Sequence, residues 1–261
     1  MLKIEEAYKI ICDYAPIEYS LESIARGEYD NSGILVDTGN DTRGILFSLD
    51  LSKKAVEKAR ENGCNLIVTH HPAIYSPIKS LSIKDGTAPV LLAIKNGVSV
   101  ISMHLNLDTA KEGIDHFLAK CCGATDYKII DPLFSGGYGR VYGVDKTLAE
   151  FADGIKKELY TERVTYYGDG DKNAGTVASF CGAGSSLALK YLHESRFDAD
   201  TIVTSDVPHH VIKELSDLGK NLVVIAHYPA EEYGFFKFYE KIRPEFEGKA
   251  ETLYFRDTAL K

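Results

Sequence analysis

Short β-branched runs alternate with helix-patterned segments from one end of this chain to the other, and no other feature restricts the fold as much. Strand-like runs lie at GILFSLD (44–50), NLIVTH (65–70), GVSVISM (97–103), TVASFC (176–181), DTIVTS (200–205) and NLVVIA (221–226). They are mostly continuous apolar stretches rather than in-out alternations, which suits a sheet covered on both faces. Helical spacing of apolar residues marks 51–62, 88–96, 112–122, 148–159, 186–195, 209–218 and 230–242, and MLKIEEAYKIICDYAP reads as an amphipathic helix at the start. Gly63, Gly97, Gly123 and Gly219 stand just past four of these helices, where a chain-reversing residue is favoured. Strand followed by helix, repeated, predicts an α/β fold.

At roughly 150 residues per domain, 261 residues make one large domain or two small ones, with ample core and no need of disulfide or metal staples. The glycine-rich stretch near 125–147 has no helical period and predicts a boundary, giving an N-terminal α/β lobe over 1–125 and a second over 126–261. A weak echo between NLIVTHHP (65–72) and NLVVIAHYP (221–229) suggests that the halves are duplicates.

The net charge of −8 argues against a protein that coats nucleic acid or an anionic membrane. The five cysteines form no C-x-x-C pair and read as small buried apolar residues in a reducing compartment. With no signal-peptide pattern and no apolar run near the about 18 residues of a membrane helix, a cytoplasmic chain is expected.

Histidine placement carries the chemistry. His70 and His71 follow NLIVT, His104 follows SVISM and His227 follows VVIA, each where an apolar strand should end. Ligands of open α/β sheets bind beyond the carboxyl ends of strands, so three strands would bring imidazoles to one sheet edge if they are parallel neighbours. A carboxylate follows two of the single histidines at a spacing of four: Asp108 after His104, and Glu231 after His227. That spacing lets both side chains converge on one point of a helical turn.

His70, His71, Asp108, His227 and Glu231 make five donors, too many for one tetrahedral zinc that keeps a water position. They suit two ions of zinc, manganese, iron or nickel. Because Pro72 turns the chain after the doublet, His70 and His71 can reach adjacent ions. His116 and His193 read as structural histidines. Asp50 reads as the N-terminal cap of the helix after it, with a metal role as the alternative. His209 and His210 open a helix with Ser205 or Asp206 as its cap, or His210 lines the site. CGAGSS (181–186) is either a tight strand-to-helix turn or a phosphate cradle, and it lacks the full spacing of a nucleotide loop.

In EYDNSGILVD (28–37), SLDLSKKAVEKARENGCNLIVTHHP (48–72), MHLNLDTAKEGID (103–115), SFCGAGSSL (179–187), DTIVTSDVPHH (200–210) and AHYPAEEYG (226–234) the chain resembles the Nif-three-like family of dinuclear-metal-centre proteins. Many of its members are labelled type 2 homologues of GTP cyclohydrolase 1. The resemblance implies two intertwined α/β lobes, with mixed sheets flanked by helices and the metals between them, assembled as a homohexamer. It makes His70, His71, Asp108, His227 and Glu231 the ligands of two divalent ions, with Glu231 bridging, and His104 a proton donor or acceptor. It further implies hydrolysis of a purine nucleotide or related small molecule. A phosphoesterase or a non-catalytic metal-binding scaffold are the alternatives. The family's opening aromatic-D-N-x-G-L appears here as Tyr29-Asp30-Asn31-Ser32-Gly33-Ile34, and the length leaves no room for the domain that some members insert between the halves.

Overall fold

The computed structural model describes residues 2–260. The chain runs α1 (Ile4–Cys12), α2 (Ile17–Ala25), β1 (Gly33–Val36), β2 (Gly44–Ser48), α3 (Lys53–Glu61), β3 (Leu66–Thr69), α4 (Ala88–Lys95), β4 (Ser99–Ser102) and α5 (Leu105–Thr109). It continues with α6 (Ile114–Cys121), β5 (Lys128–Leu133), β6 (Gly136–Thr147), α7 (Leu148–Leu159), β7 (Val164–Tyr167), β8 (Asn173–Ser179), α8 (Ser185–His193), β9 (Thr201–Thr204), α9 (His209–Asp217) and β10 (Asn221–Ile225). Last come α10 (His227–Ile242), a 3-10 turn (Arg243–Phe246) and β11 (Glu251–Phe255). Two compact units result, one from the chain up to Ala110 with Phe235–Thr258, the other from Lys111–Gly234. The fold is α/β, with two mixed sheets flanked by helices, as the alternation predicts.

The first unit holds a five-stranded sheet in the order β1-β4-β3-β2-β11. β11, β2, β3 and β4 are parallel, and β1 closes the edge antiparallel to β4. Every residue of β2, β3 and β4 is buried, which is why these strands read as unbroken apolar runs. Alternation still divides the side chains between the two faces. Leu46, Ile67 and Val100 pack with Val56, Ala59, Val90 and Ala93 of α3 and α4. Phe47 belongs to an aromatic cluster with Phe235, Phe238, Tyr239 and Phe246, at ring-centroid distances of 5.2 to 6.5 Å.

Helix ends follow local chemistry. After α3, Gly63 turns left-handed (φ 71°) and the Cys64 N–H reaches back to the Ala59 carbonyl at 2.9 Å. The same closure recurs after α4, α6 and α9. At the start of α3 the cap is Ser52, whose hydroxyl accepts from Ala55 N–H at 3.0 Å. This corrects the expectation for Asp50, which lies two residues upstream of that cap and whose carboxylate is engaged elsewhere.

The second unit holds a six-stranded sheet in the order β5-β6-β8-β9-β10-β7. β8, β9 and β10 are parallel, β7 closes one edge antiparallel to β10, and the hairpin β5–β6 extends the other. The 125–147 stretch, glycine-rich and without helical period, is this hairpin. One sheet face carries Phe180, Ala188, Ile202, Val211, Leu215 and Leu222 beneath α8 and α9.

The two sheets repeat one plan. In each, an antiparallel edge strand (β1 or β7) precedes a parallel trio (β2-β3-β4 or β8-β9-β10), with one helix in each crossover. The echo noted in the sequence is therefore out of step: NLIVTHHP holds the middle strand of its trio and NLVVIAHYP the last of the other. Equivalent positions pair β3 with β9, so LIVTHH matches TIVTSD. The last strands β4 and β10 each lead into a helix that opens with His-x-x-x-acid. The one-edge expectation holds for β3 and β4, parallel neighbours with Thr69 opposite Ser102, and fails for β10, which belongs to the other sheet.

Candidate metal centre

In the first unit, the end of β3 and the end of β4 deliver three imidazoles and one carboxylate. His70 is fully buried, and its ring centroid lies 5.0 Å from that of His71 and 5.4 Å from that of His104. The His70 Nε2 stands 3.5 Å from Oδ1 of the buried Asp108. One ligand atom each from His70, His104 and Asp108 lies within 4.8 Å of the others. Asp108 is placed by the first turn of α5, where its N–H donates to the His104 carbonyl at 2.9 Å.

A hydrogen bond fixes the other nitrogen of each ring. The Nδ1–H of His70 donates to the Met103 carbonyl at 2.8 Å, that of His71 to Asp50 Oδ1 at 2.7 Å, and that of His104 to Asp30 Oδ1 at 2.7 Å. Such bonds select the tautomer that turns Nε2 toward a ligand and make that nitrogen more basic. Asp30 is itself held: Ser20 donates to its Oδ2 in a very short bond, and Ser32 donates to the same oxygen at 2.7 Å. Burial alone would push the Asp30 carboxyl up. The hydrogen bonds from His104, Ser20 and Ser32 outweigh it and hold the group below its ordinary range.

The second unit builds a two-residue counterpart. His227 opens α10, and its Nε2 stands 2.9 Å from Oε2 of Glu231, one turn on and buried. Its Nδ1–H donates to Asp206 Oδ2 at 2.5 Å. Asp206 reaches there from a left-handed backbone (φ 48°), and Gly182 on the neighbouring loop is left-handed as well (φ 61°). The Gly182 carbonyl accepts from the Ser205 N–H at 3.1 Å and from the Thr204 hydroxyl at 3.2 Å, tying the two loops together. A Cβ on Gly182 would stand 2.6 Å from Glu231 Oε1, so only glycine lets the loop pass this carboxylate.

Both pairs fit a divalent ion. Two donors about 2.1 Å from one ion stand about 3.0 Å apart at a right angle and about 3.4 Å apart at the tetrahedral angle. The 2.9 Å of His227–Glu231 and the 3.5 Å of His70–Asp108 match those spacings. Imidazole with carboxylate is a donor set for borderline transition metals.

Comparison with known proteins gives the chain its family. The profile of Duf34/NIF3 (NGG1p interacting factor 3) matches residues 2–258. The chain belongs to the Duf34/NIF3 family. Within its reach are a "GTP cyclohydrolase 1 type 2 homolog" of Clostridium perfringens, 29% identical over 96% of this chain and 95% of that relative, and one of Methanocaldococcus jannaschii, 28% identical over 92% and 94%. Among solved structures, a Staphylococcus aureus hypothetical protein superposes with a TM-score of 0.84 at 22% identity, over 98% of this chain and 97% of that one. Reduced HcgD from Methanocaldococcus jannaschii superposes with a TM-score of 0.77 at 25% identity, over 97% of each chain.

Three residues of this Duf34/NIF3 chain that position imidazoles escaped the sequence reading: Asp30, Asp50 and Asp206. Two carried a usable signal. Asp50 follows β2 by two residues and Asp206 follows β9 by two, the same strand-end placement that singled out the histidines. Asp206 also corrects an expectation, since it does not cap α9, a helix with no side-chain cap bond, because its carboxylate serves His227. Ser205 does not cap α9 either, and His209 and His210 begin that helix as exposed residues. His116 and His193 bond to Tyr127 and Glu214, as structural histidines would. Among the described residues no helix is long and apolar enough to cross a membrane.

Proposed function

We propose that the chain is a hydrolase that holds two divalent ions through His70, His71, Asp108, His227 and Glu231. The observation that carries this reading is the carboxylate behind His71, His104 and His227. Metal-ligating histidines nearly always donate their other ring N–H to such a partner, and here the opposite ring nitrogens of His70 and His227 face Asp108 and Glu231. Bound as a pair, the ions would supply a lowered water pKa and a polarised electrophile.

The protein's own part is orientation and proton handling. Asp50 and Asp206 hold the Nδ1 side of the His71 and His227 rings and leave Nε2 for a ligand. His104 is partly exposed and backed by Asp30, an arrangement suited to accepting a proton at Nε2 and returning it to a leaving group. The substrate in this reading is a small molecule, with a purine nucleotide favoured by the names of the relatives. A cytoplasmic homohexamer, without membrane or nucleic-acid partners, is part of the same reading.

The test is the metal-loaded protein incubated with GTP and with a panel of phosphate esters. Formate without free phosphate supports cyclohydrolase chemistry and phosphate release supports a phosphoesterase. Neither product leaves a metal-holding scaffold and overturns the hydrolase. Glu231→Gln should lower metal content and turnover together, and turnover that persists after the metal is gone refutes the mechanism.

A further inference from the structure

A graded row of aromatic rings leads from the metal ligands of the first unit to its surface. The ring of His70, fully buried, lies 5.4 Å from that of His104, whose side chain is 19% exposed. The Tyr75 ring stands edge-on to His104 at 6.2 Å, and Tyr29 stands edge-on to Tyr75 at 4.9 Å. Tyr75 and Tyr29 are 50% and 52% exposed. Exposure thus rises along the row from the ligand core to open surface.

Tyr29 departs from the usual arrangement of that residue, in which the hydroxyl reaches water. Its hydroxyl donates to the Tyr75 carbonyl at 2.6 Å, while about half of the residue is exposed. The segment from His71 to Tyr75 is held firmly. The Asn31 amide donates to the Ile74 carbonyl at 2.5 Å, the Ala73 N–H to the Ser102 hydroxyl at 3.0 Å, and the Thr69 hydroxyl to the His71 carbonyl at 2.8 Å. Exposed aromatic faces fixed by backbone hydrogen bonds need little ordering when a flat partner settles on them.

We infer that Tyr75, braced edge-on by Tyr29, is a stacking ledge that selects a planar heterocyclic ligand and sets its ring beside His104. This deepens the hydrolase reading and rests on it for the identity of the reacting site, since it adds what the protein recognises in the substrate. A phosphate ester without a ring would gain nothing from the ledge. Stacking on an aromatic side chain is sequence-tolerant, so the ledge selects ring-bearing ligands as a class and leaves the choice among heterocycles to other contacts.

The test uses the metal-loaded full chain and three probes: guanosine (ring, no phosphate), GTP, and tripolyphosphate (phosphate, no ring), with affinities taken by equilibrium dialysis. Tyr75→Ala should weaken guanosine and GTP about tenfold, within the range that loss of one stacking side chain produces, and Tyr29→Ala, which removes only the brace, should weaken them less. Tyr75→Phe should stay within about twofold of the parent, because it keeps the ring. Tripolyphosphate binding and metal content should not move. The ledge is refuted if guanosine binds the parent no better than Tyr75→Ala. It is refuted equally if the alanine variants change the assembly size while guanosine binding is intact, which would make this face a contact between copies of the chain. Failure of the two readings can be told apart. Ring-selective binding with no product released sinks the hydrolase alone, and turnover of GTP unaffected by Tyr75→Ala sinks the ledge alone.

Discussion

Asp206 holds the Nδ1 side of His227 from a left-handed backbone, with Oδ2 2.5 Å from the ring nitrogen and φ at 48°. Non-glycine residues adopt that region at a cost of about 1–3 kcal/mol, and they do so where the surroundings demand it. Asparagine tolerates it nearly as well as aspartate. Asp206→Asn should therefore leave the metal-free protein as stable as the parent and lower metal affinity about 10- to 100-fold, because the amide can select the wrong ring tautomer. Competition with a chromogenic chelator measures the affinity, and thermal unfolding of the metal-free protein checks the fold.

Gly182→Ala tests the other left-handed position. The added methyl would stand 2.6 Å from Glu231 Oε1, on a backbone with φ 61°. A stability loss of about 1–3 kcal/mol is expected in urea unfolding. Metal content should fall beyond what that loss explains, since the displaced group is a proposed ligand.

Asp115 and Arg140 form an ion pair in the second unit with both side chains fully buried, 2.8 Å apart. Asp115 also accepts from the Cys181 N–H at 3.0 Å, which ties the pair to the loop before α8. Asp115→Asn leaves a buried guanidinium without its counter-charge and should cost about 3–5 kcal/mol in urea unfolding. A loss below about 1 kcal/mol would mean that solvent reaches the pair.

The acid limb of stability should report Asp30. Its carboxyl is held below the ordinary value in the folded chain, so at acid pH the unfolded chain binds more protons. The stabilisation is complete above about pH 4, where the unfolded carboxyl is ionised, and is lost as pH falls through the lower folded value. Urea unfolding from pH 7 down to pH 3 should fall more steeply for the parent than for Asp30→Asn. Equal slopes would exclude the His104–Asp30 bond as a contributor.

The parts of the fold that could be read in the sequence are those whose surroundings leave one solution. β2, β3, β4 and β9 are buried along their whole length, and their apolar runs announced them. Gly63, Gly97, Gly123 and Gly219 marked helix ends because a left-handed residue is needed there. β1, β7 and β11 escaped because edge strands are short and half-exposed, so they carry no clean period. β5 and β6 escaped because glycines and Pro132 break their pattern. In the candidate site, the histidines stood out by their place after strands. Asp50 and Asp206 share that place, but their role and that of Asp30 could not be read, because a carboxylate that supports an imidazole across 21 or 74 residues has no fixed spacing from it.

β11 pairs in parallel with β2, Glu251 opposite Gly44, so the first sheet is completed only after the intervening segment Lys111–Gly234 has been made. The ring cluster around Phe47 waits on Phe235, Phe238, Tyr239 and Phe246 for the same reason. A nascent chain halted after Ala110 already carries the imidazole doublet, yet its central strands have an open flank and a wet hydrophobic face. Such intermediates are prone to stick to one another and to depend on chaperones. Completion of the first unit therefore waits until the intervening residues have been made.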